Sequence, residues 1–310
     1  MAMSGPCSLS DLPTELLVEI SSYYEFPFTF LSPLVRQEHV AKHHEKRQIL
    51  RCLSQSCSTL RRIFLPLLWE RYEVGPNPNF QEMYTKSELA TLIFPHIKSV
   101  HISMISWTRA DMETFFLFVE FLRALPNLTG LQIYQGISWE TLSILSYAFA
   151  EVSLPTVTAL SVPVSLDGIL PAFPNVKTLA CPALDPSSRL LTAATKHFPC
   201  LDALAGLRSR DLDHNQVNDM IRDFPHLRAL SVSSTLPLDP PDLLARLRAF
   251  KQLTELELVY QDDPKLLSLD ALVSGSRDVL MASHSPDAKV LRLWSHDTSL
   301  GPRIVRIERF

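Results

Sequence analysis

The hydrophobic positions of this chain recur in one short pattern. A phenylalanine or leucine, a proline, a variable residue and an apolar residue are followed, after two further residues, by leucine (valine in the first copy), a variable residue and another apolar residue. The pattern is clear in FPHIKSVHI at Phe94–Ile102 and in LPNLTGLQI at Leu125–Ile133. Further copies start at Leu154, Phe173, Phe198, Phe224, Phe250 (without the proline) and Ser285 (degenerate). Successive second positions are 31, 29, 19, 25, 26, 26 and 35 residues apart, so the chain contains an internal repeat.

Each repeat predicts one β-strand. In Leu131-Gln132-Ile133 the period-two alternation places both apolar side chains in a core and Gln132 on the opposite sheet face. The proline stands just before the strand, where it can end a preceding helix without removing a ladder hydrogen bond. Helical spacing of apolar residues predicts helices between the strands, at Thr108–Leu125, at Ser138–Glu151 and from Asp239-Pro240 onward.

A repeat length of roughly 20–29 residues is typical of leucine-rich repeats, and one unit cannot bury its apolar face without neighbours. Residues 75–310 therefore resemble an irregular leucine-rich-repeat array of about eight repeats. The fold class this implies is α/β: a curved, right-handed βα solenoid with parallel strands on the concave side and helices on the convex side. The final segment, PRIVRIERF, alternates through Ile304, Val305 and Ile307 and predicts a capping strand.

The opening segment has a different, helical pattern. Ser10 is a suitable N-cap for a helix that begins at Leu12-Pro13, and Glu15 favours its first turn. A further helix is predicted at Ile49–Ile63, and the apolar run FLPLLW follows it at residues 64–69. A bundle of about 60 residues cannot bury this much apolar surface by itself, so the pattern favours a partner.

Together, SDLPTELLVEI, CLSQSCSTLRRIF and LPLLWER resemble an F-box, the helical module of ubiquitin-ligase receptors, most of all the F-box proteins with repeats found in mushroom-forming fungi. The resemblance assigns residues 10–74 to an F-box-like domain. Residues 1–9, which precede it, are expected to be disordered. It implies binding to a Skp-type adaptor and through it to a cullin–RING ubiquitin ligase. The positions that match the adaptor-binding residues of the family are Leu12, Pro13, Leu16, Ile20, Leu53, Leu60 and Trp69.

One feature departs from the family. The distance from Leu12 to Trp69 is longer than the roughly 35–40 residues that F-boxes have, and the surplus lies at residues 25–48. The first half of this insert is rich in proline and phenylalanine, and its second half has the pattern of a polar helix. An insert that lay across the adaptor surface would weaken adaptor binding.

The composition of the chain argues against several classes of protein, namely disordered, nucleic-acid-binding and membrane-spanning proteins. A hydrophobic fraction of 46% and a charged fraction of 20% are those of a folded protein, and a net charge of −4 gives no basic face for nucleic acid. The five cysteines are scattered without a C-x-x-C pair, as expected of reduced thiols. The start lacks a signal-peptide pattern, and the longest aromatic run is too short to span a bilayer. We therefore expect a soluble protein of the cytoplasm, the nucleus or both.

The sequence shows no catalytic, cofactor or metal motif. It has no glycine-rich phosphate loop and no G-x-S-x-G elbow. His39 and His43 have the spacing of metal ligands on a helix, but the charged stretch around them and the missing third ligand favour a solvated face. His197 and Cys200 are close in sequence at a repeat corner without an orienting acid, which favours a structural role. A hydrolase or transferase hidden in the repeats has no supporting constellation.

Two hypotheses follow. In the first, the chain is the substrate receptor of a ubiquitin ligase, with the F-box on the adaptor and the concave face on a target protein. In the second, it is a repeat scaffold whose F-box-like helices only cap the array. An open apolar patch at Leu12, Pro13 and Ile20 favours the first, and burial of these residues favours the second. The candidate target-binding residues of the concave face are His101, Ser103, Gln132, Tyr134, Ser161, Ser231, Ser233, Glu257, Arg292 and Trp294.

Overall fold

The fold was obtained as a computed structural model. It describes Pro13, Glu15, Leu16, Glu19 and residues 36–75, 80, 87–107, 112–134, 139–181, 188–208, 214–233, 240–261, 269–297 and 301–310. Of the predicted site residues, Leu12 and Ile20 lie outside this part of the chain, as do the predicted disordered start and the first half of the predicted insert.

Strands and helices alternate along most of the chain. The strands are β1 (Arg71–Val74), β2 (Ser99–Ser103), β3 (Gly130–Tyr134), β4 (Ala159–Ser161), β5 (Thr178–Ala180), β6 (Ala203–Arg208), β7 (Ala229–Ser233), β8 (Glu255–Gln261), β9 (Val290–Asp297) and β10 (Gly301–Arg309). The α-helices are α1 (Arg36–Ser56), α2 (Ser58–Trp69), α3 (Ser87–Ile93), α4 (Met112–Arg123), α5 (Trp139–Phe149), α6 (Ser188–His197), α7 (His214–Asp223), α8 (Pro240–Leu247) and α9 (Leu269–Met281). Shorter 3₁₀ segments lie at Phe94–His96, Met104–Trp107 and Val164–Ala172.

The ten strands form one sheet in strict chain order, from β1 to β10. Neighbours from β1 to β9 pair in parallel, and only β10 is antiparallel to its neighbour β9. All eight repeat motifs form strands, and the predicted capping strand is confirmed as β10. Sequential order with parallel pairing is the arrangement of a leucine-rich-repeat-like solenoid. The sheet begins at Arg71, inside the segment that the sequence assigned to the helical domain.

The repeat corners are held by the same backbone contacts in successive units. The carbonyl of Thr129 accepts hydrogen bonds from the N–H groups of Thr158 and Ala159 at 2.9 and 3.0 Å, and equivalent pairs precede β3, β5, β6, β7 and β8. Two asparagines that follow the corner proline add a side-chain bond to the previous repeat. Asn127 donates to the carbonyl of Pro95 at 2.7 Å, and Asn175 donates to that of Pro155 at 2.9 Å. The corner therefore satisfies its polar groups through the neighbouring unit.

One continuous core runs beneath the sheet. The first residue of each corner motif is buried, as Phe173, Phe198 and Phe224 show, and the inward strand residues pack around it. Its first units are rich in aromatic rings: Phe80, Trp107, Phe115, Phe118 and Phe121 are all buried there. Among the described helices, none is long and apolar enough to cross a membrane.

The helices α1 and α2 form a hairpin with a small core of its own. Leu50, Leu60 and Phe64 are buried in it, apart from the core of the array. The sequence predicted one helix over Ile49–Ile63, but the helix breaks at Cys57, which is extended (φ −156°, ψ 169°). The Cys57 thiol accepts a hydrogen bond from the Leu60 N–H at 3.5 Å and caps α2. Helix α1 extends back through the second half of the predicted insert, which is helical as the sequence indicated.

Candidate interaction surfaces

The predicted adaptor-binding residues fall into three environments. Pro13 and Leu16 are exposed, Leu16 to 45%. Leu53 and Leu60 belong to the hairpin, where Leu60 is buried and Leu53 packs half-buried against the core. Trp69 packs half-buried against the core of the array and stacks on Tyr72 with ring centroids 6.2 Å apart. Of the seven positions, only Pro13 and Leu16 are thus described as exposed.

The predicted target-binding residues share the sheet face opposite the core, which we call the polar face. The parallel register aligns them in rows across neighbouring strands: His101 lies beside Gln132, and Gln132 beside Ser161. Toward the other end, Ser231 lies beside Glu257, and Glu257 beside Arg292. Ser103, Gln132, Tyr134 and Arg292 are partly exposed, whereas His101, Ser161, Ser231, Ser233, Glu257 and Trp294 are buried.

At the N-terminal end of the polar face, side chains form a hydrogen-bonded chain across three strands. The Tyr134 hydroxyl donates to Gln132 Oε1 at 2.7 Å, and Gln132 Nε2 donates to Ser161 Oγ at 3.4 Å. His101 Nδ1 lies 3.1 Å from the same hydroxyl. With the hydroxyl proton donated to Gln132, the Tyr134 oxygen can accept a hydrogen bond from a protonated Nδ1 of His101. The chain holds these side chains in one orientation.

At the C-terminal end, the polar face contains a buried carboxyl group. Ser231 Oγ donates to Glu257 Oε1 at 2.8 Å, while Arg292 bonds to Glu255 at 2.7 Å instead of Glu257. Burial raises the pKa of Glu257 from 4.5 to about 7, against the opposing effects of the Ser231 hydrogen bond, the Arg292 charge and the Trp294 indole. Among the described residues, Glu257 Oε2 has no hydrogen-bond partner of normal geometry. Val259 and Trp294 form a small buried apolar pair on this end.

Between the two clusters the polar face is lined by small residues. Ala180 and Ala205 continue the row that starts at His101. Beyond them β6 has a register shift between Leu204 and Leu207, where Gly206 adopts φ +75°. A glycine inside a strand pattern is the sequence signal of such a bulge, and the sequence analysis did not use it. The polar face thus has hydrogen-bonding side chains at both ends and small side chains between them. This arrangement suits ligand binding better than catalysis.

Within the described residues, no group of three or more histidine, cysteine, aspartate or glutamate side chains could hold a metal ion. The side chains of His39 and His43 are not among those described. Cys200 is exposed at its repeat corner, and burial together with the Lys196 charge lowers the pKa of the half-buried His197.

No protein-family model matches the chain, and no curated protein matches it. Solved structures that are similar include the following two. The leucine-rich repeat-containing protein LegL7 from Legionella pneumophila is 13% identical with a TM-score of 0.45, over 73% of this chain and 90% of that one. TLR13 in its complex with ssRNA13 is 18% identical with a TM-score of 0.36, over 56% of this chain and 27% of that one. The fold assignment rests on the strand order and pairing of the chain itself.

Proposed function

We propose that the chain is the substrate receptor of an SCF-type cullin–RING ubiquitin ligase. The N-terminal helices bind a Skp-type adaptor, and the polar face of the array binds a target protein. The observation that carries the proposal is the exposure of Pro13 and Leu16 on the Leu-Pro segment that resembles the start of an F-box. An apolar segment left in solvent by its own domain is suited to a partner.

The mechanism is proximity. The receptor forms and breaks no bond; it holds the target near the ubiquitin-loaded enzyme and so raises the effective concentration of target lysines there. A rigid array serves this purpose because its polar face is fixed by the hydrogen-bonded chain from His101 to Ser161. The hairpin, with its own core, forms a second unit for the adaptor.

A second candidate function is a protein-interaction scaffold that recruits no ligase, in which the helices cap the array. Trp69 supports it, because its ring packs on the core of the array and stacks on Tyr72 of β1. Solenoid ends need such caps. The two candidates differ in what Leu12 and Pro13 do, and they share the target-binding array.

Co-expression with a Skp-type adaptor tests the choice. We expect the full chain to form a stable complex and the Leu12→Ala/Pro13→Ala variant to lose it. Leu92→Ala is the matched control, since Leu92 is a 61% exposed leucine on α3 of the array. If the wild-type chain is folded but binds no adaptor, the receptor function is excluded and the scaffold function remains. Equal loss of binding in the Leu92→Ala variant would show that the contact is non-specific.

A further inference from the structure

The charge of the chain is unevenly distributed. Residues 36–72, which comprise α1, α2 and the start of β1, contain eight lysines and arginines and three glutamates, a net charge of +5. The whole chain has a net charge of −4, so the remainder has −9. Of this, residues 1–35 carry −4 and residues 73–310 carry −5, so the hairpin is a basic unit between two acidic segments.

Three arginines lie near the tip of the hairpin: Arg51 is in the last turns of α1, and Arg61 and Arg62 are in the first turns of α2. The Ser54 hydroxyl donates to the Arg51 backbone carbonyl at 2.9 Å, and the Ser54 carbonyl accepts from Arg61 Nε at 3.1 Å. Arg62 follows on α2, and all three side chains are exposed. We call Arg51, Arg61 and Arg62 the basic tip.

The basic tip differs from the array in how its charges are balanced. Within the described part of the chain, no carboxylate pairs with Arg51, Arg61 or Arg62. By contrast, many arginines of the array have an acidic partner within 4 Å: Arg123, Arg189, Arg222, Arg228, Arg246, Arg248, Arg277, Arg292 and Arg306. Among the described residues, the basic tip therefore differs from most arginines of the array, and its charges are available to an outside partner.

The surroundings of the basic tip favour a protein over a nucleic acid. The hairpin keeps Leu53, Ile63, Leu67 and Leu68 only half-buried beside its small core. Phosphate binding uses cations and polar groups, whereas apolar side chains beside a charged rim are typical of protein interfaces. An apolar ridge bordered by carboxylates would complement both features.

We propose that the basic tip docks against an acidic protein surface. The proposal rests on the proposed function, in which this surface belongs to the Skp-type adaptor, and it adds a charged contact to the apolar contact of the Leu-Pro segment. The contact steers and orients the adaptor, because complementary charges at a rim mainly raise the association rate.

The test measures the affinity of the purified full chain for a purified Skp-type adaptor by calorimetry at low and high salt. For the wild type we expect affinity to fall about tenfold between about 50 and about 300 mM salt. Arg51→Glu/Arg62→Glu should weaken binding about tenfold or more at low salt and remove most of the salt dependence. Arg51→Gln/Arg62→Gln should fall between the two, and it replaces the Glu variant if that variant does not fold by circular dichroism.

The matched control is Lys177→Glu/Lys196→Glu. These two lysines are exposed on the array, and their replacement changes the net charge by the same amount. If this variant loses as much binding as the tip variant, the effect depends on net charge and not on the tip, and the proposal is overturned. Salt-insensitive binding that survives Arg51→Glu/Arg62→Glu would overturn it while the proposed function stands. Absence of adaptor binding at every salt concentration would overturn both. Tip-dependent binding of a 20-base-pair DNA duplex without adaptor binding would assign the tip to nucleic acid instead.

Discussion

The hairpin and the array are stabilised in different ways. The hairpin has three buried residues in its core, Leu50, Leu60 and Phe64, and within the described part of the chain its tip arginines pair with no carboxylate. The array has a core that continues from β1 to β9 and pairs many of its arginines. Small cores tolerate little loss, because stability is a small difference between large terms. The array should therefore tolerate the loss of a buried side chain better than the hairpin does.

The largest expected effect comes from removing one buried ring from each region. Phe224→Ala should lower the free energy of unfolding of the array by about 3–5 kcal/mol, because Phe224 fills a repeat corner. Phe64→Ala should instead unfold the hairpin locally and leave the array protected. Urea titration and amide hydrogen exchange measure the two outcomes. Equal loss of protection across the array in both variants would show that the hairpin and the array are one cooperative unit.

The buried carboxyl of the polar face gives the next effect. The pKa of Glu257 is about 7 in the folded chain against 4.5 as its ordinary value, so folded Glu257 holds its proton over a range where the unfolded chain has released it. Stability therefore falls as pH rises from 4.5 to 7 and stays low above, by about 3 kcal/mol for a difference of about 2.5 pKa units. Below pH 4.5 both states are protonated, and this contribution vanishes.

Glu257→Gln should remove this dependence. At pH 8 the variant should be more stable than the wild type by up to about 3 kcal/mol, and at pH 4 the two should agree. Thermal or urea unfolding across this pH range measures it, with Glu113→Gln on the exposed side of α4 as the surface control. If the wild-type slope persists in the Glu257→Gln variant, the pH dependence comes from other groups, and the pKa of Glu257 is not raised by its burial beside Ser231, Glu255, Arg292 and Trp294.

A backbone position in the array gives a smaller effect. Gly206 has φ +75°, and a Cβ there would lie 2.1 Å from the Cys181 carbonyl oxygen of the neighbouring repeat. Gly206→Ala should therefore lower the stability of the array by about 2 kcal/mol or more. Gly75→Ala is the control, since nothing lies near its Cβ position. If both variants melt at the wild-type temperature, the bulge in β6 is not constrained by its neighbour.

The sequence predicts the array better than it predicts the hairpin. The strands follow from Leu-x-apolar alternation and the corners from Phe-Pro, because both depend on neighbouring residues only; β3 at Gly130–Tyr134 and the corner at Phe224 lie where the pattern puts them. The break at Cys57 was missed, since the apolar spacing continues across it from Leu53 to Leu60. Thiols are also not among the common N-caps, which are Ser, Thr, Asp and Asn.

The sequence predicted the sheet face of the candidate target-binding residues but not their burial, and target binding itself stays a prediction. Register places His101 beside Gln132 and Ser231 beside Glu257, on either side of the register shift in β6, and period-two alternation puts these residues on the face opposite the core. Burial of Glu257 to 4% exposure depends on residues far away in sequence, which alternation does not contain. The sequence could therefore name the polar face but not the protonation state of the carboxyl within it.

The smallest expected effect lies at the Cys57 cap, and it probes the hairpin where the array is not involved. The thiol is exposed and accepts the Leu60 N–H at 3.5 Å, a long bond to a weak acceptor. Cys57→Ser should stabilise the hairpin by about 0.5 kcal/mol, because a hydroxyl is a better N-cap, and Cys57→Ala should destabilise it by about the same amount. Amide exchange at Leu60 in the full chain measures both, with exchange in β7 as the internal reference. A Ser variant that protects Leu60 no better than Ala does would mean that the hairpin is held by Leu50, Leu60 and Phe64 alone, and that its break at Cys57 is set by packing rather than by the cap.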